Sequence, residues 1–235
     1  MIDDTIAAIA TPLGEGALAV IRLSGADALA IAGRCFRPIG DSSQSPCDAT
    51  THTLHYGNII DAEDRVVDEV LLAVMRTPRT FTREDTVEIT CHGGMVASQA
   101  VLQTVLAAGA RSALPGEFTR RAFLNGRIDL AQAEAVSDVI HARTDLALAA
   151  ANEQLAGKLS QRIGQLRDDL MNVLAHLEAH IDFPDEDIAP DTQAQLTGRL
   201  ESALDFIDQL LATANEGRIL RRGIRAAIIG RPNAG

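Results

Sequence analysis

PGEFTRRAFLNGRIDLAQAEA, Pro115 to Ala135, is the stretch at which the chain changes character. Pro115 and Gly116 make a turn, Glu117 opens a short helix and Gly126 breaks it. Asp129 then stands where an N-cap belongs, ahead of a run of Leu, Ala, Gln and Glu that favours helix. Upstream the pattern switches at short intervals. TIAAIAT, ALAVIRLSG, TLHYGNIID, VVDEVLLAVMR and TVEITCHG read as strands. ADALAIAGRCF and MVASQAVLQTVLAAG read as helices, the second with a C-cap at Gly109. Pro38 to Thr53, with Gly, Ser, Asp and two Pro, is a surface loop. This mixture predicts an α+β domain.

Downstream, apolar residues recur at helical spacing over long distances. Leu155, Leu159, Ile163, Leu166, Leu170, Leu174, Leu177 and Ile181 form one stripe, read as one long helix. Leu196, Leu200, Leu204, Ile207 and Leu211 form a second. Between them DFPDEDIAPD carries two prolines that cannot continue a helix, so the helices meet at a turn. A third helix, from about Asp129 to Gly157, precedes them, and three helices with facing stripes predict a bundle.

Bulk properties bound the function. With 235 residues the chain exceeds the usual single-domain size of roughly 100–200, so two compact units are expected. Hydrophobic residues at 46% and charged residues at 23% are the balance of a globular protein, and the lack of Trp with a single Tyr makes the core aliphatic. A net charge of −11 argues against a chain that holds nucleic acid by its overall field; a nucleic-acid partner needs a local basic patch or another subunit. Cys35, Cys47 and Cys91 are odd in number and lack CxxC spacing, which reads as reduced structural thiols. The opening MIDDTIAAIATPLGEG is acidic where a secretory signal is basic, and no apolar run approaches the roughly 20 residues of a membrane span. A cytoplasmic protein that does not enter membranes is expected.

Several motifs allow a bland and a functional reading side by side. GRPNAG, Gly230 to Gly235, matches the first six positions of G-x-x-x-x-G-K-[ST] and follows a predicted strand, Arg225 to Ile229. It is a phosphate loop without its Lys and hydroxyl, or a Gly-containing turn. Arg120, Arg121 and Arg127 are solvated surface charges, the default for Arg, or else Arg127 at the Gly126 break meets an anionic ligand. Asp182, Asp185, Glu186 and Asp187 read as a solvated, capping turn rather than a metal site. His92, before a Gly-Gly turn, is structural or a pocket residue. Arg218, Arg221, Arg222 and Arg225 form an RNA contact or a solvated hinge.

TIAAIATPLGEGALAVIRLSG, FTREDTVEITCHGG, PGEFTRRAFLNGRIDLAQAEA, IDFPDEDI and GRPNAG, in this order and spacing, resemble the MnmE (TrmE) family of tRNA modification GTPases over essentially the whole chain. The resemblance implies an N-terminal folate-binding domain similar to that of aminomethyltransferases, followed by an α-helical bundle domain. The expected boundaries are residues 1–118 for the folate-binding and dimerisation domain and 119–216 for a partial helical domain. Residues 217–235 would begin a GTPase domain cut off in its phosphate loop. It further implies a homodimer through the N-terminal domain and a flavoprotein partner, MnmG. Together they would modify carbon 5 of the wobble uridine of certain tRNAs with a one-carbon unit from a tetrahydrofolate, 5-formyl or 5,10-methylene. GTP, potassium and Mg²⁺ belong to the complete protein.

Residue by residue, Arg22, Glu88 and Arg127 match family positions that line the folate pocket, with Arg127 standing where many members have Lys. Asn233 matches the potassium-ligating asparagine, and Asn233, Ala234 and Gly235 match nucleotide contacts. The family's catalytic Cys, near its C-terminus, matches none of the three cysteines here. Two rivals remain: a stand-alone folate enzyme of the aminomethyltransferase type, and a non-enzymatic helical module.

Overall fold

The structure is a computed structural model that describes residues 4–40, 45–182, 193–222, 227 and 229–230. Its contacts divide the chain into two compact units, Met1–Ile128 and Asp129–Gly235.

The first unit is built on seven strands: β1 (Ile6–Ile9), β2 (Leu18–Ser24), β3 (Phe36–Pro38), β4 (Thr53–Ile60), β5 (Val66–Met75), β6 (Thr86–His92) and β7 (Arg111–Ser112). They form one sheet in the order β3-β4-β5-β6-β2-β1-β7, antiparallel throughout except for the parallel β1–β7 pair. Two helices, α1 (Ala28–Cys35) and α2 (Met95–Ala107), supply the apolar cover. Period-2 alternation selects the covered face: Ala19, Ile21 and Leu23 of β2, Val87, Ile89 and Cys91 of β6, and Val70, Leu72 and Val74 of β5 all join the core. Ile31, Ala32, Val101 and Val105 meet them from the helices, and full burial of such an aliphatic side chain contributes about 1.5–3 kcal/mol. Gly109 follows α2 at φ +119°, as a helix-ending glycine should, and its N–H reaches the Leu106 carbonyl. The α+β class and the strands and helices expected upstream of Leu114 are all present. β3 and β7 are too short for alternation to reveal.

A third helix, α3 (Glu117–Leu124), is fastened by charge rather than by grease. Arg121 is fully buried, against the expectation of a solvated surface charge. Its Nη2 meets Asp4 Oδ1 at 2.5 Å and Glu117 Oε1 at 3.4 Å, while Nη1 donates to the Asp4 carbonyl at 2.8 Å and lies 3.3 Å from Glu84 Oε1. Glu117 is itself 1% exposed and accepts from Arg111 Nη2 at 2.7 Å and from the Leu114 N–H at 2.8 Å. A guanidinium this deep persists only because anions surround it.

The second unit holds α4 (Leu130–His141), α5 (Asp145–Leu155), α6 (Lys158–Asp182) and α7 (Gln193–Arg222). Asp129 caps α4 in a full capping box with Gln132. The single helix expected from Asp129 to Gly157 is two helices. The chain breaks at Ala142–Thr144, where Thr144 caps α5 by accepting from the Ala147 N–H at 3.1 Å. The stripe is likewise interrupted: Leu155 ends α5, Gly157 takes φ +81°, and α6 begins one residue later. Among the described residues, those buried on α6 and α7 are Val173 and Ala203, whereas the stripe leucines Leu170, Leu174, Leu177, Leu200, Leu204 and Leu211 remain 37–63% exposed. The stripes are therefore left partly uncovered among the described residues. Most of the DFPDEDI turn lies outside the described residues. Of the strand expected at Arg225–Ile229, Ala227 and Ile229 are described and neither is in a strand.

Three outcomes are expected. Arg121→Met removes the buried charge shared by Asp4, Glu84 and Glu117 and should lower unfolding free energy by about 3–5 kcal/mol in urea melts followed by circular dichroism. Arg120→Ala, at a side chain 57% exposed, should change it by no more than about 0.5 kcal/mol. Hydrogen bonding from Arg111 holds the Glu117 carboxyl down at about 2, from an ordinary 4.5. A depressed folded value stabilises above the unfolded one and is lost on the way down, so stability should fall between about pH 4.5 and pH 2, and Glu117→Gln should flatten that slope.

Candidate functional site

The face of the sheet opposite the core carries the candidate residues. Antiparallel register sets Arg22 of β2 directly across from Glu88 of β6, and alternation turns both away from the core. Arg22 Nε donates to Glu88 Oε1 at 2.7 Å, and Nη2 lies 2.6 Å from the same oxygen. Both side chains are about one third exposed, so the pair is sheltered without being sealed. Among the described residues, nothing hydrogen-bonds Glu88 Oε2 or Arg22 Nη1. One carboxylate oxygen and one guanidinium N–H pair are thus available to a ligand.

Aromatic rings stand beside both arginines. Arg22 Cζ lies 5.8 Å from the centroid of Phe118, on α3, and Arg127 Cζ lies 5.2 Å from that of Phe81. Arg127 itself is exposed, in the turn after α3, with its N–H on the Ala122 carbonyl at 2.9 Å. The loop before β6 and the end of α3 are tied together here: Arg83 Nη1 donates to the Asn125 carbonyl at 3.0 Å, and Asn125 Nδ2 to the Thr82 carbonyl at 2.6 Å. So the fold brings Arg22 and Glu88 into contact and sets Arg127 in a neighbouring cation–ring pair of its own.

Further along the same face, β6 ends at His92. Asp68 of β5 accepts from the His92 N–H at 2.8 Å and meets its Nδ1 at 2.7 Å. The Asp68 hydrogen bond, and then its charge, raise the proton affinity of the imidazole. Gly93 follows because nothing larger fits: a Cβ there would lie 2.5 Å from the Gly16 carbonyl oxygen. Asp68, Phe81 and Phe118 went unread in the sequence. Only Asp68 left a signal, a charge inside an apolar strand run.

Other candidates carry no chemistry here. Cys35 and Cys91 are buried, and burial pushes each thiol up to about 11, as suits structural cysteines; Cys47 is exposed. No group of three or more His, Cys, Asp or Glu able to hold a metal occurs among the described residues. Asp185, Glu186, Asp187, Asn233, Ala234, Gly235 and the side chains of Arg218, Arg221, Arg222 and Arg225 lie outside them. No helix among the described residues is long and apolar enough to cross a membrane.

Comparison with known proteins agrees with this architecture unit by unit. Residues 5–127 match the family model of the GTP-binding protein TrmE N-terminus, and residues 130–227 that of the MnmE helical domain. The chain is 54% identical over 235 residues to the tRNA modification GTPase MnmE of Geobacillus thermodenitrificans, covering 99% of this chain and 50% of that protein. It is 55% identical over 234 residues to the protein of that name in Geobacillus kaustophilus, and 50% identical to that of Bacillus subtilis, with the same coverage. The chain spans about half the length of these curated relatives. It belongs to the MnmE (TrmE) family of tRNA modification GTPases, of which it carries the N-terminal and helical domains.

Proposed function

We propose that the first unit binds a reduced folate, 5-formyl- or 5,10-methylenetetrahydrofolate, with Glu88 as its pterin anchor. The observation that carries this reading is the braced carboxylate: Arg22 occupies Oε1 and leaves Oε2 open on a half-buried sheet face. A pterin edge presents a ring N–H beside an amino group, and a carboxylate can accept from both, Oε1 being shared with Arg22. Phe118 and Phe81 offer flat surfaces suited to a fused ring, and Arg22 Nη1 and Arg127 offer donors for the ligand's carbonyl oxygens. The bound folate supplies the one-carbon unit; what these residues do is bind and orient it.

In the longer protein, this unit would serve tRNA modification at carbon 5 of the wobble uridine. The partners would be MnmG and tRNA, with a homodimer through the N-terminal unit, in the cytoplasm. GTP hydrolysis, with potassium at Asn233 and Mg²⁺, belongs to the domain whose phosphate loop GRPNAG begins. The family membership, resting on both units, disfavours a stand-alone aminomethyltransferase-type enzyme and a purely helical module.

Calorimetric titration with 5-formyltetrahydrofolate tests the folate reading. Glu88→Gln places an amide donor against the pterin's donors and should weaken binding roughly tenfold to a hundredfold, about 1.5–3 kcal/mol. Arg127→Lys should cost less, since charge survives. Cys47→Ser, at an exposed thiol, should leave affinity unchanged. Unaltered affinity in Glu88→Gln would overturn the anchor, and no folate binding by the parent chain would overturn the whole reading. The 235 residues also lack the Lys and Ser/Thr that complete the phosphate loop. They should therefore show no micromolar GTP affinity in the same calorimeter.

A further inference from the structure

The residues beyond Glu88 on β6 extend the site. Because Val87, Ile89 and Cys91 fill the core, Glu88, Thr90 and His92 stand in one file on the open face. From Glu88 to His92 is four residues of extended chain, about 13 Å at ~3.3 Å each. Between them lies Thr90, opposite Val20 of β2 and Leu71 of β5, and Leu71 is 46% exposed. This is a strip of mostly apolar surface with an acid at one end and a histidine at the other.

The histidine is built for one job. Asp68 holds both the backbone N–H and ring Nδ1, which fixes the ring's rotation and puts a proton on Nδ1. Nε2 is left facing outward, an acceptor when the ring is neutral and a donor when it is charged. The Asp68 side chain is 11% exposed and that of His92 68%, so the orienting carboxylate is shielded while the ring is presented. The charged groups that act on it are acidic, Asp68 and Glu69 on β5; the loop before β2, which carries Glu15, is bonded through Gly16 and Ala17 to Gly93. β2 opposes His92 with Leu18, and α2 carries no charged residue.

A reduced folate has the matching layout: a donor-rich pterin edge, an aromatic p-aminobenzoyl middle and an acceptor-rich acyl-glutamate end. With the fused ring at Glu88 served by Phe81 and Arg127 on one side, the rest of such a ligand can run along Thr90, which gives its aromatic middle an apolar floor. We propose that His92, oriented by Asp68, binds the acyl-glutamate end of the folate whose pterin Glu88 holds, donating from Nε2 to its oxygen acceptors. This rests on the folate reading above and adds the direction in which the ligand lies. It makes binding proton-linked: the imidazolium is the form that donates, so affinity rises as pH falls through the titration of His92 and the complex takes up a proton.

The experiment is calorimetry on the full 235-residue chain, near neutral pH, in two buffers of different ionisation enthalpy. The probes are 5-formyltetrahydrofolate and tetrahydrobiopterin, which has the reduced pterin without the benzoylglutamate. The parent should take up a fraction of a proton with the folate and none with the bare pterin. His92→Gln should abolish the uptake and weaken the folate alone, roughly tenfold. Asp68→Asn should move the uptake to lower pH, a shift that mere loss of packing does not produce. Folate binding that is lost in Glu88→Gln but indifferent to His92→Gln, in affinity and in proton uptake, overturns this inference and leaves the anchor standing. An equal loss for both probes in His92→Gln overturns the assigned direction. Failure of the parent to bind any reduced folate brings down both readings.

Discussion

One guanidinium gathers the first unit. Arg121, fully buried, meets Asp4 ahead of β1, Glu84 ahead of β6 and Glu117 at the start of α3. Each of these anions enters a different part of the sheet's surroundings, so a single charge sets where β1 begins, how the chain enters β6 and how α3 lies. Buried charge tolerates little variation in geometry, because a displaced partner leaves an unscreened ion behind. That is what seats Phe118 beside Arg22, and what steadies the Thr82–Asn125 contact next to Phe81 and Arg127.

The site then follows from register. Ile21 opposite Ile89 and Arg22 opposite Glu88 are consecutive rungs of the same ladder, one pair buried and the next presented. A slip of one residue would drive Arg22 and Glu88 toward the helices and bring Ile21 and Ile89 to the surface, so the apolar core polices the geometry of the polar pair. The same ladder fixes His92 on the presented face, while the neighbouring strand supplies Asp68 to hold it.

What could be read from the sequence was what repeats locally. Alternation in TVEITCHG marked β6 and put Glu88 with Thr90 on one side, and helical spacing marked α1, α2 and the long helices. Arg121 was legible only in part. Its i,i+4 relation to Glu117 is visible, but Asp4 and Glu84 are distant in sequence, and the default for Arg is the surface. Asp68 and His92 are likewise joined only by strand pairing. The break between α4 and α5 carried a cap signal in Thr144, which the continuous helical composition around it overrode. The apolar stripes of α6 and α7 were legible as stripes, but spacing alone does not say which face a partner covers, and the residues buried on these helices are Val173 and Ala203, outside the stripes.

The bond from Arg121 to Asp4 spans 117 residues, and β7 pairs in parallel with β1 across a similar distance. On a ribosome this means that the first residues wait. β1 can lie against β2 early, but its other edge and the acid ahead of it find their partners only once Arg111 and Arg121 have emerged, near the very end of the unit. Such long-range closure is slow relative to local helix formation. The α4–α5 hairpin, closed over a short loop, needs no such delay. Within the sheet unit, then, the last contacts to close are those of its own beginning, whereas the α4–α5 pair joins neighbours in sequence.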